Sequence, residues 1–256
     1  KALWIISGIH GEEPEGPNAI AKNIRFLNRL SKKIPLVIIP LCNPNGYWRN
    51  WRYPNRKFMS KNGGPEISVG DSSHFLIDSK NRKKSREEKS PSKVSMALNS
   101  YILRNSKKYK PFLVLDLHED NNARKNYIYS QGRLGGNDPV AKYVINLIRK
   151  KGFQSYHDSK TIFNQKIING IVSDVEDSSI DELLSSKEII RNNKTVRGPY
   201  ARSVIVVETN TVGTKLKQRI KIHKLILKNI KHFFKIAENI YDFPVSEHPE
   251  KEGEIV

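Results

Sequence analysis

The sequence predicts an α/β protein with a mixed, mostly parallel central sheet flanked by helices. Short apolar, β-branched runs recur along the chain, and stretches with apolar residues at helical spacing separate them. Histidine, glutamate and aspartate gather where several of those runs end. With 256 residues the chain is long enough for one large domain with a well-buried core, and residues 1–256 are read as a single domain.

Leu3-Trp4-Ile5-Ile6 suits a buried parallel strand, and Ser7-Gly8-Ile9-His10-Gly11 breaks it with two glycines. Pro14, Gly16 and Pro17 punctuate the chain before Ala19, Ile20, Ile24, Leu27 and Leu30 supply a helical stripe. Leu36 to Leu41 form another apolar strand, running into Cys42 as a small buried hydrophobe. Val94, Ala97, Leu98, Tyr101 and Ile102 predict a helix leading to the strand Phe112-Leu113-Val114-Leu115. A further helix carries Val140, Tyr143, Val144, Leu147 and Ile148. Val204-Ile205-Val206-Val207 is the last strand, and Leu216 to Tyr241 the longest helical pattern, packed on the sheet as a closing helix. Asp242 to Val256 is a polar tail. Between Asn164 and Tyr200 the pattern is least legible. Its acidic patch (Asp174, Glu176, Asp177, Asp181, Glu182) reads as a solvated loop; lining a pocket instead, it would favour a basic or amine-bearing leaving group.

Chemistry concentrates at three strand ends. His10 and Glu13 sit three residues apart on a turn, and His118 follows a distant strand, so together they could close three sides of a zinc tetrahedron. The open fourth side marks a catalytic rather than a structural site. Glu208 ends the last strand and is the candidate general base, able to take a proton from an attacking water and deliver it to a leaving amine. Open α/β sheets bind ligands outside the carboxyl ends of their strands, which is where these residues fall. Asp116 is a candidate to orient a ligand histidine, or else a loop carboxylate in contact with backbone. Glu12, Glu119 and Asp120 read as neighbours of the ligands, and His157, His223, His232 and His248 as structural or surface residues.

His10-x-x-Glu13, Asn43-Pro44-Asn45-Gly46-Tyr47, Asp116-Leu117-His118 and Val207-Glu208-Thr209, in this order, resemble the zinc metallocarboxypeptidases of the carboxypeptidase A type. The resemblance spans nearly the whole chain. It implies a zinc carboxypeptidase-like catalytic domain with one Zn2+ on His10, Glu13 and His118, Glu208 as base, and a peptide or peptide-like substrate cut near its C-terminus. Trp51-Arg52-Tyr53 resembles the segment whose arginine polarises the scissile carbonyl, with Arg49 and Arg56 as rivals for Arg52. Such a donor contributes about 3 kcal/mol to transition-state stabilisation. Tyr200 matches a tyrosine over the substrate.

One segment departs from the family pattern. Where an Asn-Arg pair grips the terminal carboxylate of the substrate, Val69-Gly70-Asp71-Ser72-Ser73-His74-Phe75 places Ser73 and His74. A Ser-His pair can hydrogen-bond a carboxylate but lacks arginine's fixed fork and permanent charge. Arg49, Arg56 and Arg133 are candidate replacements. Two neighbouring readings follow: a zinc deacylase resembling succinylglutamate desuccinylase and aspartoacylase, and a cell-wall (murein) peptide carboxypeptidase or amidase.

Composition narrows the alternatives. A formal charge of +19 invites a nucleic-acid reading, yet outside the run Lys80 to Lys93 the excess is dispersed and no stacking or zinc-ribbon motif accompanies it. No specific nucleic-acid partner is therefore expected; attraction to an anionic cell-wall polymer is the simpler consequence of that charge. Cys42 is the single cysteine, which excludes an intramolecular disulfide and a dithiol centre. No stretch approaches the roughly 20 apolar residues of a membrane span. The chain opens on Lys1 and enters a strand at once, so the expectation is a soluble, extracytoplasmic protein from which a leader or N-terminal region has been removed.

Overall fold

The computed structural model describes residues 1–54 and 70–239. Arg56, Val69, His248, the end of the closing helix beyond Asn239 and the tail from Asp242 lie outside the described residues. In chain order the elements begin with β1 (Ala2–Ser7), α1 (Glu15–Ser31), β2 (Leu36–Ile39), α2 (Pro44–Arg49), α3 (Lys93–Lys108) and β3 (Pro111–Asp120). There follow β4 (Tyr127–Ser130), α4 (Pro139–Lys150), β5 (Ser159–Lys160), β6 (Lys166–Ile167), β7 (Ile171–Ser173) and α5 (Ile180–Ser185). The chain closes with β8 (Glu188–Arg191), β9 (Lys194–Arg197), β10 (Ser203–Asn210) and α6 (Leu216–Asn239).

The main sheet runs β2-β1-β3-β10-β4-β7, with β4 antiparallel to β10 and every other neighbouring pair parallel. It is the mixed, mostly parallel sheet the sequence predicts. Alternation along each strand divides the core in two. Leu3, Ile5, Leu113, Leu115, Leu117, Ile205 and Val207 face α1, α4 and α6. Trp4, Ile6, Val114 and Val204 point the other way, toward Ile102 of α3 and Leu183 and Leu184 of α5. Burying both faces is what allows near-continuous apolar strands.

Helix starts are set by side chains that accept otherwise unpaired backbone N–H groups: Asn43 for α2, Ser92 for α3, Asp138 for α4 and Ser179 for α5. Within α1, Ile24 lies outside the expected apolar stripe and is 53% exposed, because the helix buries only the face carrying Ala19, Ile20, Asn23, Leu27 and Leu30. The basic run from Lys80 to Lys93 is tied to the rest of the fold through one of its arginines. Arg86 makes a two-pronged ion pair with Glu182, at 2.8 and 2.6 Å, and so fastens this segment to α5.

His223, read from sequence as structural or surface, is fully buried on α6 beside Thr209, with Nε2 3.3 Å from the threonine hydroxyl. Burial, with the charge of His118 acting the same way, pushes its pKa down to about 3. The unfolded chain therefore takes up this proton first, and the associated stability, present above about pH 6.5, is lost as pH falls toward 3. His223→Gln should flatten the decline in unfolding free energy, measured by urea titration between neutral and mildly acidic pH, by a few kcal/mol at most. Parallel declines in the two proteins would show that His223 does not drive it.

Candidate active site

β1, β3 and β10 lie side by side and parallel, so their carboxyl ends open onto one edge of the sheet. The chain leaves β1 for β2 on one side and returns as β3 on the other, the switch point at which such sheets form a crevice. His10 and Glu13 occupy the turn after β1. On β3 the two-residue period puts Asp116 and His118 on one face, and the parallel register sets Val206 opposite Asp116 and Glu208 opposite His118. Adjacent-strand pairing thus brings residues 90 positions apart in sequence to one site.

The Glu13 carboxylate lies between two imidazoles. His10 Nδ1 is 2.6 Å from Glu13 Oε1, and His118 Nδ1 is 2.9 Å from Oε2. One donor atom from each of His10, Glu13 and His118 falls within a 4.8 Å cluster. Two nitrogens and a carboxylate, with Glu13 only 2% exposed, are a donor set suited to a metal ion. His118 Nε2 sits 3.1 Å from Asp116 Oδ2, within ion-pair range but outside hydrogen-bond geometry.

Electrostatics follow from burial. Desolvation and the Arg52 guanidinium push His10 down to about 4 against the pull of Glu13, leaving it neutral, as a ligand must be. Burial also opposes charge on His118, yet Asp116 and Glu13 outweigh it and hold that imidazole well above its ordinary value. Glu208 is raised to about 8, first by burial and then by Glu13 and Asp120, with His118 and Arg52 acting against them.

Arg52 reaches the site because of the Asn43-Pro44-Asn45-Gly46 segment. The Asn43 side chain accepts the Gly46 N–H at 2.9 Å and donates to the Arg52 carbonyl at 3.1 Å. The Gly11 N–H donates to the same carbonyl at 3.1 Å. Gly11 packs so closely on α2 that a Cβ there would lie 2.1 Å from the Gly46 carbonyl carbon. A Cβ on Gly46 would meet the Asn43 amide nitrogen at 2.2 Å, so both positions require glycine. Held in this way, Arg52 Nη1 approaches Glu13 at 3.1 Å and Glu12 at 3.4 Å.

These residues line a cavity of about 450 Å³ that also takes in Asp71, Tyr127, Tyr129, Asp177, Asp181 and Glu208. Three residues expected at the substrate lie elsewhere. Ser73 is buried and donates to the Gly70 carbonyl at 2.9 Å; His74 is buried with its ring 4.3 Å from that of Phe75. Tyr200 lies under the Arg133 guanidinium, 3.7 Å from ring centroid to the carbon of the fork, and Arg133 lines a separate groove. Arg49 stacks on Trp51 at the surface. Of the acidic patch, Asp174 and Glu176 are exposed as expected of a solvated loop, but Asp177 and Asp181 line the cavity. That corrects the solvated-loop reading for these two, since Ile180, Leu183 and Leu184 pack α5 into the core beside Val114 and Val204 and bring Asp177 and Asp181 to the cavity. Asp71 and the apolar pair Ile162 and Phe163 on the β5–β6 turn are cavity residues that sequence reasoning missed, and no periodicity marks them.

No family model matches the chain, and no curated protein sequence does. Solved structures do match in fold. A "Putative metallopeptidase" from Shewanella baltica OS155 superposes with a TM-score of 0.66 at 20% identity, over 92% of this chain and 76% of its own. The metallo-carboxypeptidase from Burkholderia cenocepacia gives 0.52 at 11% identity, over 92% of this chain and 57% of that one. Carboxypeptidase A from Helicoverpa armigera gives 0.51 at 12%, over 96% and 63%. The chain has the metallo-carboxypeptidase fold. Among the described residues no helix is long and apolar enough to cross a membrane.

Proposed function

We propose that the protein is a zinc-dependent metallopeptidase that hydrolyses an amide bond in a peptide or peptide-like substrate. The observation that carries this is the convergence of His10, Glu13 and His118 with Glu208 next to His118 in register, all lining one cavity. When bound, zinc supplies Lewis acidity and lowers the pKa of a water molecule it holds. The protein's residues do the rest. Glu208 accepts the proton of the attacking water and returns it to the departing nitrogen, so one carboxylate serves both half-reactions. Its burial raises its proton affinity, which suits that second delivery. Arg52, anchored through its own carbonyl, presents a guanidinium where negative charge develops on the scissile oxygen.

The C-terminal specificity implied by the resemblance requires a cation for the terminal carboxylate. Among the described residues that line the cavity, Arg52 is the one arginine or lysine, and Ser73 and His74 are turned away from it. The proposal is therefore made for amide hydrolysis in general, with release of a C-terminal residue as one form of it. The test is to incubate zinc-loaded protein with linear peptides, murein peptides and N-acyl amino acids and to follow products by mass spectrometry. Cleavage in a peptide pool supports the reading. Release of acyl groups alone would move the protein to the deacylases, and cleavage that persists unchanged under a chelator would remove the metal from it.

A further inference from the structure

The two chain segments that carry Glu13 and His118 are tied to one arginine that does not itself line the cavity. Arg219, in the first turn of α6, donates from Nε to Glu15 Oε1 at 2.8 Å and to Glu119 Oε2 at 2.9 Å. Its Nη2 stands 2.6 Å from Glu15 Oε1, and its Nη1 donates to the Thr214 carbonyl at 2.6 Å. Both glutamates are buried. Glu15 opens α1 two residues after Glu13, and Glu119 follows His118 directly on β3. Alternation along β3 turns His118 to the cavity and sends the Glu119 side chain to the other face, where α1 and α6 pack. The Glu119 N–H in turn donates to Glu13 Oε2 at 3.4 Å. The start of α1 lies so close to β3 that a Cβ on Gly16 would come within 2.8 Å of the Leu117 carbonyl oxygen.

Resting on the metallopeptidase reading, we infer that Arg219 is a positioning residue for the metal site, fixing the Glu13 and His118 segments relative to each other. The two ligands lie about 100 positions apart in sequence, and a metal site binds tightly only where its donors are held in place by the groups behind them. A planar guanidinium suits that task, because its donors leave in fixed directions and can hold two carboxylates at once. Lysine would bring the same charge as a single point on a flexible stem. A purely structural Arg219 would fasten α6 to α1 and nothing more. Its loss would then lower stability, since two buried carboxylates lose their cation, but would leave the site of the folded protein unchanged. The two roles separate in the metal site and not in the unfolding curve.

The test compares Arg219→Met and Arg219→Lys with Arg149→Met. Arg149 is a fair control, since it is tied to Ser155, Tyr156 and Asn169 yet touches neither ligand segment. Zinc affinity is read by competition with a chromogenic chelator, and the geometry of the site by the visible absorption of Co2+ bound in place of zinc, on protein shown to be folded by circular dichroism. Arg219→Met should weaken zinc about 10- to 100-fold and alter the cobalt spectrum, with Arg219→Lys between it and the wild type. Arg149→Met should lower the urea midpoint and change neither. Without metal, hydrogen exchange should quicken in residues 10–13 and 117–120 together in the Arg219 variants. Should Arg219→Met fail to fold, Arg219→Lys decides. Wild-type affinity and cobalt spectrum in a folded Arg219 variant, or an equal loss in Arg149→Met, would overturn the inference. A wild type that takes no zinc would count against the metallopeptidase reading, and the metal-free exchange would then decide the role of Arg219 alone.

Discussion

Glu208→Gln should bind zinc as the wild type does and turn over substrate about 10²- to 10⁴-fold more slowly, the span that a positioned general base supplies. Glutamine keeps the volume and the hydrogen-bonding oxygen of the side chain but cannot accept the proton. Glu208 belongs to β10 and not to the set that faces Glu13, so metal content measured by mass spectrometry should stay at one equivalent. A pH profile separates a chemical role from a structural one. As the base, Glu208 must be ionised, so wild-type kcat/KM should fall as pH drops through its pKa. Its surroundings raise that value to about 8, and a bound dication nearby would favour the anion and draw it lower. The glutamine variant should show no such acid limb. Unchanged turnover, or an acid limb that survives the substitution, would take Glu208 out of the mechanism.

The legible and illegible parts of this molecule differ in physical origin. His10, Glu13, His118 and Glu208 were readable because each terminates or follows an apolar run, and a parallel sheet delivers strand ends to one edge. The Asn43-Pro44-Asn45-Gly46 segment could be read as a motif but not as a helix start. Only the structure shows the Asn43 amide capping α2 while it fastens Arg52. Strands β5 to β9 contain two to four residues each, too few for a two-residue period to stand out. Asp177 and Asp181 are visible as an acidic patch, but their place at the cavity depends on Ile180, Leu183 and Leu184 of α5 packing beside the distant Val114 and Val204. A contact of that kind leaves no local trace. Asp71 is the sharper case: in its segment the family resemblance points to Ser73 and His74, yet the backbone turns those two inward and leaves the aspartate lining the cavity.

His118→Ala should abolish stoichiometric zinc binding. It removes one of three protein donors, and a two-donor remnant of His10 and Glu13 leaves two positions of a tetrahedron to solvent. Asp116→Asn provides the graded comparison. Asp116 stands 3.1 Å from His118 Nε2 and contributes to holding that imidazole's pKa high, so its loss should weaken the metal by the 10- to 100-fold typical of an outer partner, roughly. The alanine variant should weaken it by clearly more. Competition against a chromogenic chelator measures both, with circular dichroism confirming that each variant is folded. Removal of His118 also leaves Asp116 fully buried without the one imidazole beside it, so the alanine variant should be less stable as well as metal-poor. Retention of one zinc per chain by folded His118→Ala would break the ligand assignment. The same affinity in both variants would show that His118 acts only as a structural neighbour of Asp116.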